Sequence, residues 1–331
     1  MTNSTVMCAD QNTQIGRYLN SIRPHCANVS YRRIQDDGNQ EGGNQLASQS
    51  AVLGREDIFE AAGRIDPLPA SITRLLELSS DPDASLVEVA DVIRYDPVLS
   101  VDLLRRANSA TSAAHRKIED VADAVSRLGT SEVLIMAMRR AMQGRMSDPI
   151  PAYGLDANAM WRHALAAAVA AEVIAHQSPV RIPAMASTAA LLHDVGKLVI
   201  AESLAPSVIE YMVSSAEQSN RPLHEVEAEI LGADHAEIGG VVLRGWAFPM
   251  SVQIAVTRHH DVSSNADTLT HAVAAANAIA DVLPDEGETE PNAPLDDAAV
   301  QSLQACGIPQ RRMPVFLELV SARFNEVLAS Y

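Results

Sequence analysis

The chain has 331 residues, 47% of them hydrophobic but only 4% aromatic, so it can bury a large core built mainly from Ala, Leu, Val and Ile. Lys and Arg total 25 against 42 Asp and Glu; the resulting net charge of −17 repels phosphate backbones at long range and argues against general nucleic-acid binding. Cys8, Cys26 and Cys306 are scattered without CxxC spacing, and neither a signal-peptide core nor a bilayer-spanning apolar run occurs. A disulfide framework, a zinc knuckle and membrane insertion are thereby disfavoured, leaving the cytoplasm as the default compartment.

Residues 1–54 are rich in Asn, Gln, Ser and Gly, as in DDGNQEGGNQLASQS, and bury too little apolar surface to offset chain entropy. They read as disordered or weakly structured, with room for a short helix over Ile15 to Ile22. From Arg55 the texture changes, and IDPLPASITRLLELSSDPDASLVEVADVIRYDPVLSVDLLRRANSA reads as successive amphipathic helices. One helix begins near Ala70 after Pro67 and Pro69. Ser85 with Glu88 forms a capping box for the next, and Asp96-Pro97 opens a third with proline at its first position. VADAVSRLGTSEVLIMAMRRAMQ is interrupted at Gly129-Thr130; Met136, Met138 and Met142 in it read as core filler.

Pro149 and Pro151 mark a boundary between a first helical lobe, 55–148, and a second, 152–283. The second holds Ala-rich helices: ANAMWRHALAAAVAAEVIA, then PAMASTAALLHDVGKLVIAES as one element, then SVIEYMVSSAEQS. Asp234 with Glu237 opens another; the next runs from Pro249 into RHH, and the last through LTHAVAAANAIADVL. LPDEGETEPNAPLDD is an acidic linker, and a C-terminal helix, PVFLELVSARFNEVLAS, completes an all-α chain whose final segment is 284–331.

Most of the ten histidines lie between 163 and 271. His163 sits in WRHALAAA, His193-Asp194 in LLHDVGK, His235 in DHAEIGG and His259-His260 in TRHHD, with Asp281 in ANAIADVL. Imidazole nitrogen and carboxylate oxygen suit Mn, Fe or Zn. Neighbours on a helix diverge by about 100°, so His193 and Asp194 would reach one ion only from a helix edge, with Lys197 on the same side. Read from the residues alone, the set fits either a metal site or polar groups partnered within the core. His115, His176 and His224 have no motif context, whereas His271 and Asn277 are candidates to support Asp281.

Trp161 to Ala164, LLHDVGK, DHAEIGG with its later GWAFP, and TRHH together resemble the HD superfamily of metal-dependent phosphohydrolases. With the upstream helical half, LPASITRLLELSSDPDASLVEVADVIRYDPVLSVDLLRRANSA and IEDVADAVSRLGTSEV, they resemble its HDOD branch of bacterial signalling proteins. The resemblance covers about 60 to 283 and implies a two-lobed all-α fold. It also implies a metal centre of one or two divalent transition-metal ions (Fe, Mn or Zn). His163, His193, Asp194 and Asp281 correspond to the HD ligand set, and His235, His259 and His260 to the added ligands of HD-GYP cyclic-di-GMP phosphodiesterases. Asp194 would bridge two ions, and Lys197 would lie near the phosphate of any substrate.

The chain departs from those enzymes in two places. No GYP tripeptide follows TRHHD, so cyclic-di-GMP hydrolysis is not expected, and Ala159 stands where some relatives carry a further carboxylate ligand. The HDOD branch itself implies a regulatory module that works through a signalling protein partner. The alternative is a phosphohydrolase of unknown substrate. A third reading, a helix-turn-helix with Arg105 and Arg106 on its second helix, conflicts with the acidic charge.

Overall fold

The computed structural model describes residues 54–81, 83–109, 117–263, 265–283 and 294–329. The expectations for 1–53, including the helix over Ile15 to Ile22 and Cys8 and Cys26, lie outside the described residues, as do His115 and most of the acidic linker. Every regular element among the described residues is helical, apart from an isolated antiparallel bridge between Ile150 and Leu155.

Helix α1 (Arg55–Gly63), placed by the sequence at the start of the first lobe, instead packs on the second lobe, with an Arg55–Glu237 ion pair at 2.9 Å. The first lobe comprises α2 (Ala70–Ser80), α3 (Leu86–Arg94), α4 (Pro97–Ser109), α5 (Val121–Leu128) and α6 (Thr130–Met146). The expected stop signals act where the sequence put them. Ser85 Oγ accepts from Glu88 N, and the Glu88 carboxylate accepts from Ser85 N at 2.9 Å, so both halves of the capping box form. Pro97 opens α4, and Gly129 at φ 81° supplies the left-handed turn that separates α5 from α6. Met138 and Met142 are fully buried, as core filler should be.

A short 3₁₀ turn, Pro151–Tyr153, leads into the second lobe: α7 (Ala159–Gln177), α8 (Ala186–Leu192), α9 (Gly196–Ser203), α10 (Pro206–Ser219), α11 (Leu223–Leu231), α12 (His235–Gly245), α13 (Met250–Thr257) and α14 (Thr268–Val282). Helix α7 is buried on nearly every side because its Ala-rich run, Ala166 to Ala171, lets neighbours approach closely. Helices α8, α14 and α16 (Met313–Leu328) pack against it, and α15 (Asp297–Ala305) packs on α14. A half-buried ion cluster anchors α16: Glu172 on α7 takes Arg323 at 2.9 Å and Arg139 of α6 at 3.3 Å.

Two differences from the sequence reading bear on function. The element expected over 183–203 is two helices, α8 and α9, because the chain tightens at His193 to Val195 into i→i+3 hydrogen bonds. Val195 N donates to Leu192 O at 3.0 Å and Lys197 N to Asp194 O at 2.9 Å. Helix α11, bounded by Pro222 and by Gly232 at φ 75°, stands where no element was foreseen, as does α15.

Glycines set how closely the helices of the second lobe cross. A Cβ at Gly196 would lie 2.0 Å from the His235 carbonyl oxygen and 2.8 Å from Gly239 N, so α9 and α12 meet backbone to backbone. This contact carries His193-Asp194 and His235, at the starts of α9 and α12, toward one another. Where the lobes meet, Trp246 Nε1 donates to Asp66 O at 3.1 Å, Arg145 donates to the carbonyls of Asp66 and Pro67, and the Arg145 guanidinium lies over the Trp246 ring.

Candidate metal centre

Four chain segments converge on Asp194: α7 with His163, the turn between α8 and α9, the start of α12 and the end of α13. Its carboxylate is almost completely buried, and its two oxygens divide the surrounding groups between them. Oδ1 faces His235 Nε2 at 3.1 Å and His259 Nε2 at 3.9 Å. Oδ2 faces His193 Nε2 at 3.4 Å and His163 Nε2 at 3.7 Å, and accepts from Lys197 Nζ at 2.6 Å. Two groups of ligand-type atoms, each within 4.8 Å of one another, can hold a metal ion: His163, His193 and Asp194 in one, His235, His259 and His260 in the other.

The ring nitrogens show which form the histidines take. His193 Nδ1 lies 2.7 Å from Ala190 O, and His259 Nδ1 lies 2.7 Å from Val256 O. A backbone carbonyl can only accept, so Nδ1 carries the proton in both rings and Nε2 is left as a lone pair. In His235 the same job falls to a carboxylate, Glu227 Oε2, at 2.6 Å. Three buried rings are thus held from behind by their Nδ1 atoms with Nε2 turned inward, the orientation that metal-ligating histidines need.

His259 Nε2 provides the test of fit. It is buried, has no hydrogen-bond partner and looks toward a carboxylate oxygen, another acceptor. Two facing acceptors repel unless a cation lies between them, and a donor set of imidazole nitrogens with one carboxylate suits a borderline transition metal. The residues present therefore fit the implied metal.

Electrostatics divide the rings: most are held neutral, while His235, set between two carboxylates, favours the protonated form until a metal displaces its Nε2 proton. Burial, reinforced by His193, pushes His163 down to about 4, and burial with His235 pushes His260 down to about 2, so both rings stay neutral at physiological pH. Burial and the nearby His260 also hold His259 well below the usual imidazole range. Burial opposes the charged form of Asp194, yet His193 and Lys197 outweigh it and keep the carboxyl far below its ordinary value. For His235, burial is overcome by the Glu227 charge, which moves the ring up to about 9.

Of the residues singled out in the sequence, His163, His193, Asp194, His235, His259 and His260 all meet here. Asp281 enters neither group: its side chain is 61% exposed and faces His163 Nδ1 at 3.5 Å. Asn277, one turn earlier on α14, takes the inner place, with Oδ1 3.0 Å from His163 Nε2. His271 turns away to Ser302 Oγ at 3.4 Å, across the α14–α15 contact. His224, which had no motif context, stacks on His260 with ring centroids 4.1 Å apart. Glu227 was missed altogether, although Leu223, Glu227 and Leu231 fall at i, i+4 and i+8, placing an acid in an apolar stripe. The expected edge-on reach of a helical His-Asp pair is replaced by the tight turn between α8 and α9, which re-aims both side chains inward.

The HDOD domain family model matches residues 65–262, more than half of the chain. The chain belongs to the HDOD family. Outside the match lie α1, α14 with Asn277 and Asp281, α15 and α16. A 208-residue stretch is 26% identical to an uncharacterized protein of Treponema pallidum (strain Nichols), covering 61% of this chain and 39% of that relative. The chain thus spans about two-fifths of the length of this curated relative. Among solved structures, this HDOD chain is similar to a phosphohydrolase candidate of Shewanella amazonensis SB2B, with TM-score 0.59, 25% identity, and 80% and 93% of the two chains covered. It is also similar to an HDOD domain protein of unknown function from Geobacter sulfurreducens, with TM-score 0.58, 21% identity and coverage of 83% and 96%. A signal transduction protein candidate of Marinobacter aquaeolei VT8 aligns with TM-score 0.56 at 25% identity, over 83% of this chain and 63% of that one. No helix among the described residues is long and apolar enough to cross a membrane.

Proposed function

We propose that this HDOD protein is a bacterial signal-transduction module that acts through protein contacts and retains an HD-type metal site. Residues 55–283 form its HDOD domain, with the lobes divided between 148 and 152 and α1 packed on the second. The observation that carries the reading is a run of exposed apolar side chains, Leu86, Val87, Tyr95, Val98 and Val101, on α3, α4 and the turn between them. Tyr95 is 89% exposed, and aromatic rings are enriched at the surfaces where proteins meet. Similarity to a signal transduction protein candidate supports the same reading.

His163, His193, Asp194, His235, His259 and His260 would hold one or two divalent transition-metal ions (Fe, Mn or Zn), with Asp281 behind His163. A metal bound there supplies Lewis acidity and an activated water. Asp194 and the inward ring nitrogens would offer the ligands, His235 losing its Nε2 proton to the metal, and the buried walls would limit access of bulk solvent. The second reading, a metal-dependent phosphohydrolase, is favoured by Lys197, an ammonium 2.6 Å from Asp194 where it could meet a phosphate oxygen. Against it stands the short VSSNADTLT loop after TRHHD. DNA binding has less support: Arg106 is engaged by Glu132 at 3.0 Å, and Arg105 lies 3.7 Å from Asp102.

The test is to purify the full chain without chelator, measure its metal content, and assay the metal-loaded protein against phosphomonoesters, nucleotides and cyclic dinucleotides. We expect bound transition metal and no turnover above that of His193→Ala. Enzyme-like rates that vanish in His193→Ala would replace the regulatory reading with the phosphohydrolase.

A further inference from the structure

We propose that Glu227 is the positioning residue of the histidine cluster, holding His235 in the tautomer and orientation that present Nε2 to a bound divalent transition metal. The inference rests on the metal reading above and adds to it a group outside the His-Asp motifs.

Glu227 is completely buried on α11, eight residues before His235. An ionised carboxylate in such a place costs several kcal/mol unless its lone pairs are satisfied (roughly, from ion desolvation). Here they are satisfied by donors that converge on it: Oε2 accepts from His235 N at 3.0 Å and from His235 Nδ1 at 2.6 Å, and Oε1 accepts from Tyr153 Oη at 3.1 Å. Main chain and ring of one residue are thus gripped by a single oxygen, which fixes both where α12 starts and how its first side chain points. The result is directional: with Nδ1 engaged, Nε2 stands 3.1 Å from Asp194 Oδ1 and 2.9 Å from His260 Nε2. His193 and His259 receive the same treatment from neutral backbone carbonyls, whereas His235 has an anion behind it. An anionic partner makes the opposite nitrogen a stronger donor, so His235 becomes the strongest ligand of its group. Tyr153 holds the far carboxylate oxygen from the 3₁₀ turn that joins the lobes, so it anchors Glu227 itself.

The competing explanation is an ion pair that merely stabilises the fold. Cobalt(II) separates the two. Metal-stripped full chain is titrated with Co(II), reading the visible absorption of the complex and the dissociation constant by competition with a chromophoric chelator. Glu227→Gln, which keeps the size but loses the charge, should bind Co(II) about 10- to 100-fold more weakly with an altered visible spectrum. Tyr153→Phe should shift both readouts less, in the same direction. Wild-type affinity and spectrum in Glu227→Gln, with only a lower melting temperature of the metal-free form, would leave a structural ion pair and overturn the proposal. Should Glu227→Gln not fold, imidazole nitrogen NMR of the Zn(II)-loaded wild type decides: we expect a protonated His235 Nδ1 with metal on Nε2, and metal on Nδ1 refutes the role. If the wild type takes up neither ion, the metal reading fails and this role fails with it. Metal uptake with an indifferent Glu227 removes the positioning role alone.

Discussion

The two lobes differ in which ionisable groups they bury, although both expose apolar side chains, Val180 and Tyr211 among them in the second. In the first, Arg139 is the buried charged residue among those described, while Leu86, Val87, Tyr95, Val98 and Val101 stand in solvent. In the second, His193, Asp194, Glu227, His235 and His259 are taken out of water, and α7 hides a nearly unbroken Ala-rich surface. Burying ionisable groups is costly, and exposing apolar ones forgoes stabilisation. The proposed ion site carries the first cost, and the proposed partner surface the second.

Five substitutions probe this contrast. Asp194→Asn removes the charge shared by both ligand groups and should weaken Co(II) or Zn(II) binding by more than the roughly 100-fold upper range for losing a supporting partner, measured by chelator competition. Next comes Gly196→Ala, whose methyl would collide with the His235 carbonyl: denaturant unfolding should show a loss of about 3 kcal/mol, together with weaker metal binding. An unaffected Gly196→Ala would mean that the α9–α12 contact is slack and the ion site not tightly built.

Glu172→Gln, at the junction of α6, α7 and α16, should cost about 2 kcal/mol near neutral pH. Burial opposes the Glu172 charge, but Arg139 and Arg323 outweigh it and lower its pKa below 4.5. A lowered carboxylate contributes stability fully above the unfolded value and loses it as pH falls through the folded value. The gap between wild type and variant should therefore close as an acid titration descends below about 4.5. The smallest effect belongs to the first lobe: Tyr95→Ala and Val98→Ser should change stability by less than about 0.5 kcal/mol in thermal melts while reducing capture of a signalling partner. A large stability loss in either would break the contrast, because it would make those side chains part of the core.

The helices were legible where local chemistry punctuates them. Ser85, Pro97, Gly129 and Asp234 each end or begin an element for a reason contained within a few residues, and the structure follows them. The six inward side chains of the candidate site were legible because they arrive as short dipeptides and motifs. Other features depend on partners distant in sequence. The turn at His193 to Val195 interrupts an apolar run that has full helical periodicity. Glu227 looks like one acid among several in LHEVEAEI until α11 folds against α12. The inward place of Asn277 and the outward one of Asp281 are decided by how α14 rotates against α7, which one strand of text does not record.

Helix α12 has eleven residues and so is about 16 Å long. His235 stands at its first position, in the ion cluster. Trp246, just past its last, is hydrogen-bonded to Asp66 and stacked under Arg145 of the first lobe. One short rod therefore has one end in the chemistry and the other in the lobe that displays its apolar surface. Helix α12 is thus a single element shared by the histidine cluster and the contact between the lobes.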